Sequence, residues 1–237
     1  MSIGRQSTGS RAWGEGRAFL DTGGRDGRRS VSSGGPAVEP VAGMLLTGGA
    51  SRRMGTDKAS MVIDGHPSAS RIGVLLSRVA APVLEVGPGR SGLPAVREDG
   101  GGEGPLVALC AGRMALRAAG HAGPTVVVAC DLPLVTEEVL EFLARYPGGA
   151  SVVPVVGGRP QPLCARWSAA DLDAASALVA AGERTCTALI AQSKAVVLDD
   201  DGWTAVAEAR VFADVDVPED LDRLGLTWHR GHGGPAA

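Results

Sequence analysis

"VAGMLLTGGASRRMGTDK" (residues 41–58) runs seven positions without a charge or a break, then turns through three glycines, two adjacent arginines and a lysine. A short continuous apolar run is the pattern of a strand covered on both faces, as in a parallel sheet. The glycine-rich half leaves the carboxyl end of that strand, which is where open α/β sheets bind ligands. Glycines let a backbone come close to an anion and turn its N–H groups toward it. Arg52, Arg53 and Lys58 add charge-assisted donors suited to phosphate oxygens. A glycine-rich turn with a solvated basic face fits the same residues. Two common phosphate loops do not fit: "GGASRRMG" lacks the G-x-G-x-x-G order, and "GTDKAS" interposes Thr56 and Asp57 between the last glycine and the lysine, where a P-loop has none.

Working outward, "SASRIGVLLSRVA" (68–80) places apolar residues at three- and four-residue spacing and predicts a helix, followed by a strand in "PVLEVG" (82–87). "GPLVALCAGRMALRAAG" (104–120) opens on Gly-Pro and predicts a second helix. "TVVVAC" (125–130) reads as a central parallel strand, and Thr136 caps the helix after it, with Glu137 and Glu138 in its first turn. "ASVVPVV" (150–156) and "QPLCARW" (161–167) flank a Gly-Gly-Arg turn as a hairpin or paired strands, with Pro154 placing the first at an edge or a bulge. A helix (168–182), a short strand (195–199) and a final Pro-led helix (218–225) complete the alternation. This order predicts one α/β domain with a mostly parallel central sheet over 41–227. Residues 1–40 are rich in Gly, Ser and Arg and poor in aliphatic side chains, so they are expected to be a disordered extension, as is 228–237. A translation start downstream of Met1 fits the same composition.

The chain has 237 residues, 44% apolar and 21% charged, with a net charge of −3, which fits a soluble globular protein and points to neither nucleic acid nor membrane as partner. Aromatics at 3% give no stacking platform for single strands. Cys110, Cys130, Cys164 and Cys186 show no C-x-x-C spacing, so they read as reduced thiols in a cytoplasmic protein. His66, His121, His229 and His232 show no catalytic or metal spacing.

Asp131 follows the clearest strand in "VVVACDLPLV". A carboxylate at a strand's carboxyl end beside a triphosphate loop suits Mg²⁺, which prefers one or two carboxylates plus phosphate oxygens and water. A turn or helix-capping aspartate fits as well. Asp214 and Asp216 in "RVFADVDVPEDL" (210–221) alternate and are expected on one face of a strand, where paired carboxylates suggest a nearby cation. A structural role fits "DVDVPEDL" equally.

"LTGGASRRMGTDK" (46–58) resembles the signature L-[AT]-G-G-x-S-x-R-M-G-x-D-K of the molybdenum cofactor guanylyltransferases, of the nucleotidyltransferase superfamily, whose fold is a Rossmann-like three-layer α/β arrangement. Sugar nucleotidyltransferases usually carry Pro before the lysine, and the related cytidylyltransferases tend to show Ala-Gly at Gly48-Gly49. Asp57 before Lys58 favours the guanylyl branch. The resemblance implies transfer of GMP from GTP to molybdenum-bound molybdopterin with release of pyrophosphate. It implies Arg53, Lys58 and Asp131 as catalytic residues, with Leu46, Thr47, Gly48, Gly49, Gly87 and Asp99 also at the nucleotide. "CDLP" (130–133) is similar to the family's C-D-x-P, whose aspartate binds magnesium, which gives Asp131 that role; Asp216, through its pairing with Asp214, is the weaker metal candidate. Asp99, with Glu98 as the alternative, precedes "GPL" (104–106), similar to the family's G-P-L-x-[AG]. "GGRPQPLCARW" (157–167) resembles the segment that receives the pterin, which points to Arg159 and Gln161. The family often has an asparagine where Gly87 stands, so contact there is through backbone. Molybdoenzymes or cofactor-insertion chaperones are the implied further partners. Cytidylyl transfer, another phosphate acceptor, or a nucleotide-binding regulator without turnover are the alternatives.

Overall fold

The computed structural model describes residues 40–48, 58–98 and 103–229. In chain order the strands are β1 (Ala42–Leu46), β2 (Val62–Ile63), β3 (His66–Pro67), β4 (Val83–Val86), β5 (Ala95–Val96), β6 (Thr125–Ala129), β7 (Val152–Val156), β8 (Arg159–Pro160), β9 (Cys164–Trp167), β10 (Val196–Leu198) and β11 (Trp228–His229). The helices are α1 (Ser68–Val79), α2 (Pro105–Ala118), α3 (Glu137–Arg145), α4 (Ala169–Ala180), α5 (Cys186–Gln192), α6 (Asp200–Trp203) and α7 (Pro218–Arg223).

The main sheet runs β10-β7-β9-β6-β1-β4-β5, with β8 paired to β7. β1 lies parallel to both β4 and β6, in register Leu46↔Val86 and Leu46↔Ala129, so three carboxyl ends stand side by side. Alternation along each strand sorts side chains into two layers. Leu45, Val126 and Val128 pack with Ile72 and Leu76 of α1 and Leu140 and Leu143 of α3. Met44, Leu46 and Val127 pack on the other face with Leu106 and Leu109 of α2 and Leu172 of α4. At Gly43 a Cβ would stand 2.6 Å from Leu76 Cγ, which shows how closely α1 lies on β1.

Three expectations are corrected. β6 is central but parallel on one side only, because β9 pairs with it antiparallel, Thr125↔Trp167 to Val128↔Cys164. β7 is an interior strand, bonded to β10 as well as to β9. Pro154 sits where the β7–β9 ladder ends after Val152↔Arg166, and its carbonyl accepts from Gln161 N at 2.8 Å. Lacking an N–H, it cannot extend that ladder, and the tight turn closes β7 onto β8 instead. Asp214 and Asp216 lie on an extended segment outside any ladder, with Val215 buried between them. β11 pairs with β2, and with β3 they form a second, three-stranded sheet. Met61, Ile63, Val215 and Leu221 form its apolar pin. Residues 230–237 and 1–39 lie outside the described residues.

Candidate active site

Three neighbouring strand ends build the site. Thr47 and Gly48 leave β1, Gly87 leaves β4, and Cys130 and Asp131 leave β6. Thr47 N and Gly48 N both donate to Val86 O, at 3.0 and 3.3 Å. Thr47 Oγ1 donates to the Glu85 carboxylate, so this hydroxyl is engaged within the protein. Leu46 is buried and its carbonyl accepts from Cys130 N at 2.9 Å. Along this strand and its exit, then, the Leu46 side chain is buried in the core and Gly48 is exposed.

Gly87 has φ +150°, and a Cβ there would stand 2.1 Å from Thr47 Oγ1 and 2.8 Å from Gly48 N. Only glycine fits this approach of one strand end to the next. Glu98, after β5, brings Oε1 to 3.0 Å from the position of a Cβ at Gly48. The alternative to Asp99 thus reaches the loop's first residue, while Asp99 itself lies outside the described residues, as do Gly49, Arg52, Arg53 and Asp57.

Asp131 is held from several directions. Cys130 carbonyl accepts from Ser68 Oγ of α1 at 2.9 Å, and the Asp131 carbonyl accepts from Val215 N at 2.9 Å. Arg71 donates to the carbonyls of Pro133 (2.8 Å) and Val135 (2.9 Å), which fixes the turn that follows. Lys58 Nζ lies 2.5 Å from Asp216 Oδ1 and 4.0 Å from Asp131 Oδ2. The Lys58 side chain is 14% exposed, Asp131 31% and Asp216 54%. Asp216 is steadied by Asp220, whose Oδ2 accepts from the N–H groups of Asp216 and Val217 at 2.8 and 3.0 Å.

Burial pushes the Asp131 carboxyl above the usual aspartate range, Lys58 opposes this, and Asp214 and Asp216 add to it. Among the described residues, three carboxylates face one cation here, a balance that favours a bound cation. Among the described residues no group of three or more His, Cys, Asp or Glu side chains converges as a preformed metal cage.

Arg159 and Gln161 follow β7, which runs in the same direction as β6, and so reach the same edge of the sheet. Arg159 is exposed, and Gln161 Nε2 donates to the Arg159 carbonyl at 3.1 Å. Sequence reasoning did not single out Ser68, Arg71 or Glu85. Glu85 carried a signal: a lone carboxylate inside an apolar strand, immediately before the turn "GPGRSG" (87–92). The four cysteines are all buried, and burial pushes the Cys164 and Cys186 thiols up to about 12, so neither supplies a thiolate. Among the described residues no helix is long and apolar enough to cross a membrane.

The MobA-like NTP transferase domain family matches residues 43–196. A probable molybdenum cofactor guanylyltransferase of Mycobacterium bovis is 37% identical over 172 residues, 68% of this chain and 84% of that protein. A molybdenum cofactor guanylyltransferase of Cereibacter sphaeroides is 33% identical over 189 residues, 76% of this chain and 93% of that protein. In fold the chain is similar to the molybdopterin-guanine dinucleotide biosynthesis protein A of Archaeoglobus fulgidus, with a TM-score of 0.62, 23% identity, and coverage of 77% of this chain and 95% of that one.

Proposed function

Since the chain belongs to the MobA-like NTP transferase domain family and is a nucleotidyltransferase, we propose that it transfers GMP from GTP to the phosphate of molybdenum-bound molybdopterin, releasing pyrophosphate. The observation that carries this reading is Lys58 standing beside Asp216 and beside Asp131, which leaves β6 next to the end of β1. The attacking group is a phosphate that is already anionic, so the reaction needs positioning and charge neutralisation rather than a general base. Lys58 has three N–H donors, and the contact with Asp216 uses one. Its remaining donors, with Arg53, are assigned to the charge that builds on the departing pyrophosphate. Asp131 is assigned to Mg²⁺, with Asp216 as the secondary carboxylate. Mg²⁺ bound there supplies neutralisation of the triphosphate and orientation of its oxygens.

Leu46 to Gly49, Gly87 and Asp99 are assigned to the nucleotide through backbone and carboxylate contacts, and Arg159 and Gln161 to the pterin phosphate. The activity is assigned to 41–227 in a cytoplasmic protein whose product passes to molybdoenzymes or their insertion chaperones, so a chain lacking 1–40 is expected to keep it. The test is pyrophosphate release from purified protein with GTP, Mg²⁺ and molybdenum-bound molybdopterin, with CTP in parallel. Release with GTP supports the reading. Release only with CTP, or none with either, overturns it.

A further inference from the structure

Glu85 of β4 is 0% exposed and takes no part in the chemistry above. Its Oε1 accepts from Gly89 N (2.8 Å), Arg90 N (2.9 Å) and Thr47 Oγ1, and its Oε2 from Ser91 N (2.8 Å) and Ser91 Oγ (2.5 Å). Three successive backbone N–H groups converging on one anion form a nest of the kind that binds phosphate elsewhere. Here the protein's own carboxylate fills it. A buried carboxylate left without donors is costly, so the turn at 89–91 and the Thr47 hydroxyl are locked to β4 as one unit.

The place of this unit gives it a role. Thr47 is the residue before Gly48, and Gly87 opens the turn, with its Cα 3.9 Å from the position of a Cβ at Gly48. Gly87 N donates to Val96 O at 2.8 Å, which joins β5 to the same surface. The carboxylate therefore sits beneath the two strand ends that flank the mouth of the site.

We propose that Glu85 is a positioning residue for the nucleotide, holding Thr47–Gly48 and Gly87–Ser91 as one fixed surface against which the nucleoside part of a nucleoside triphosphate rests. This rests on the nucleotide-binding part of the function proposed above. Glu85→Gln keeps the size but turns an NH₂ toward N–H donors, so one pair faces donor to donor.

The experiment measures the GTP dissociation constant, the steady-state KM and kcat, and hydrogen exchange at Gly89–Ser91 in the wild type, Glu85→Gln and Ser91→Ala. Glu85→Gln is expected to exchange faster in the turn, weaken GTP about tenfold and leave kcat within about twofold, because Lys58 and Asp131 are untouched. Ser91→Ala, which removes one donor and leaves the carboxylate, is expected to shift GTP affinity the same way by less. Faster exchange in Glu85→Gln with unchanged GTP affinity overturns the proposal, since Glu85 then serves only the turn. If Glu85→Gln fails to fold, Ser91→Ala decides in the same manner. A wild type that binds GTP but transfers nothing to the pterin refutes the assigned reaction, and the affinity comparison still judges Glu85. A wild type that binds no GTP overturns the proposal as well.

Discussion

Replacing Gly87 by asparagine, the residue that resemblance to the guanylyltransferases places there, is expected to damage this protein. Gly87 has φ +150°, a conformation that costs an L-residue about 1–3 kcal/mol. The new Cβ would stand 2.1 Å from Thr47 Oγ1, 2.8 Å from Gly48 N and 3.0 Å from the Thr47 carbonyl carbon. None of these atoms is free to retreat, because Thr47 N and Gly48 N are bonded to Val86 O and Thr47 Oγ1 to Glu85. Such overpacking costs about 1–3 kcal/mol. A net loss of about 3 kcal/mol lowers Tm by roughly 6–12 °C in a domain of this size. Scanning calorimetry reads the loss, and titration with GTP is expected to show weaker binding as Gly48 is pushed from its place. In a cycle of Gly87→Ala with Thr47→Ala, the double variant is expected to cost about 1 kcal/mol less than the sum, since Thr47→Ala removes the atom at 2.1 Å. A Gly87→Asn protein with unchanged Tm and equal or tighter GTP binding would refute the reasoning.

Asp131→Asn is expected to lower kcat by about a thousandfold or more, checked by pyrophosphate release. It is also expected to raise the stability of the metal-free protein at neutral pH: the folded carboxyl titrates above its unfolded range, so the stability present at low pH is lost as pH rises through the folded pKa. Tm of variant and wild type should therefore converge in acid and separate toward neutrality, and a variant less stable at pH 7 would contradict this. Glu85 has the opposite sign. Burial pushes its carboxyl up, but the bonds from Ser91, Thr47 and the backbone of Arg90 and Ser91 prevail and hold it below the usual range. Its contribution is present above the unfolded pKa and lost as pH falls through the folded one, so Glu85→Gln should flatten the acid limb of Tm against pH. Lys58→Ala is expected to cut kcat/KM for GTP by about tenfold or more, and an unchanged value would remove Lys58 from the triphosphate site. Asp216→Asn should raise the Mg²⁺ concentration for half-maximal rate by less than Asp131→Asn does, and the reverse order would exchange their roles.

The uninterrupted apolar runs of β1 and β6 and the helical spacing of α1 and α2 can be read from local sequence because burial on both faces and a 3.6-residue period leave local marks. The strand ends that carry Gly48 and Asp131 were legible for the same reason. Partner choice in the sheet was not. The antiparallel insertion of β9 beside β6 depends on where a chain some 35 residues downstream returns, and the texture of "TVVVA" is the same whichever neighbour it gains.

By itself, then, the sequence determined the layered α/β fold, the glycine-rich segment that follows the first strand and the aspartate that follows the central strand, because each is written in contiguous residues. Only the tertiary structure decided that Asp216, 158 residues from Lys58, holds that lysine, and that Gly87 is required by the Thr47 side chain. It also decided that Glu85 closes a turn against Thr47, 38 residues earlier. Hydrogen bonding and charge compensation act over a few ångströms of space, and which groups come that close is set by long-range packing, which no local pattern encodes.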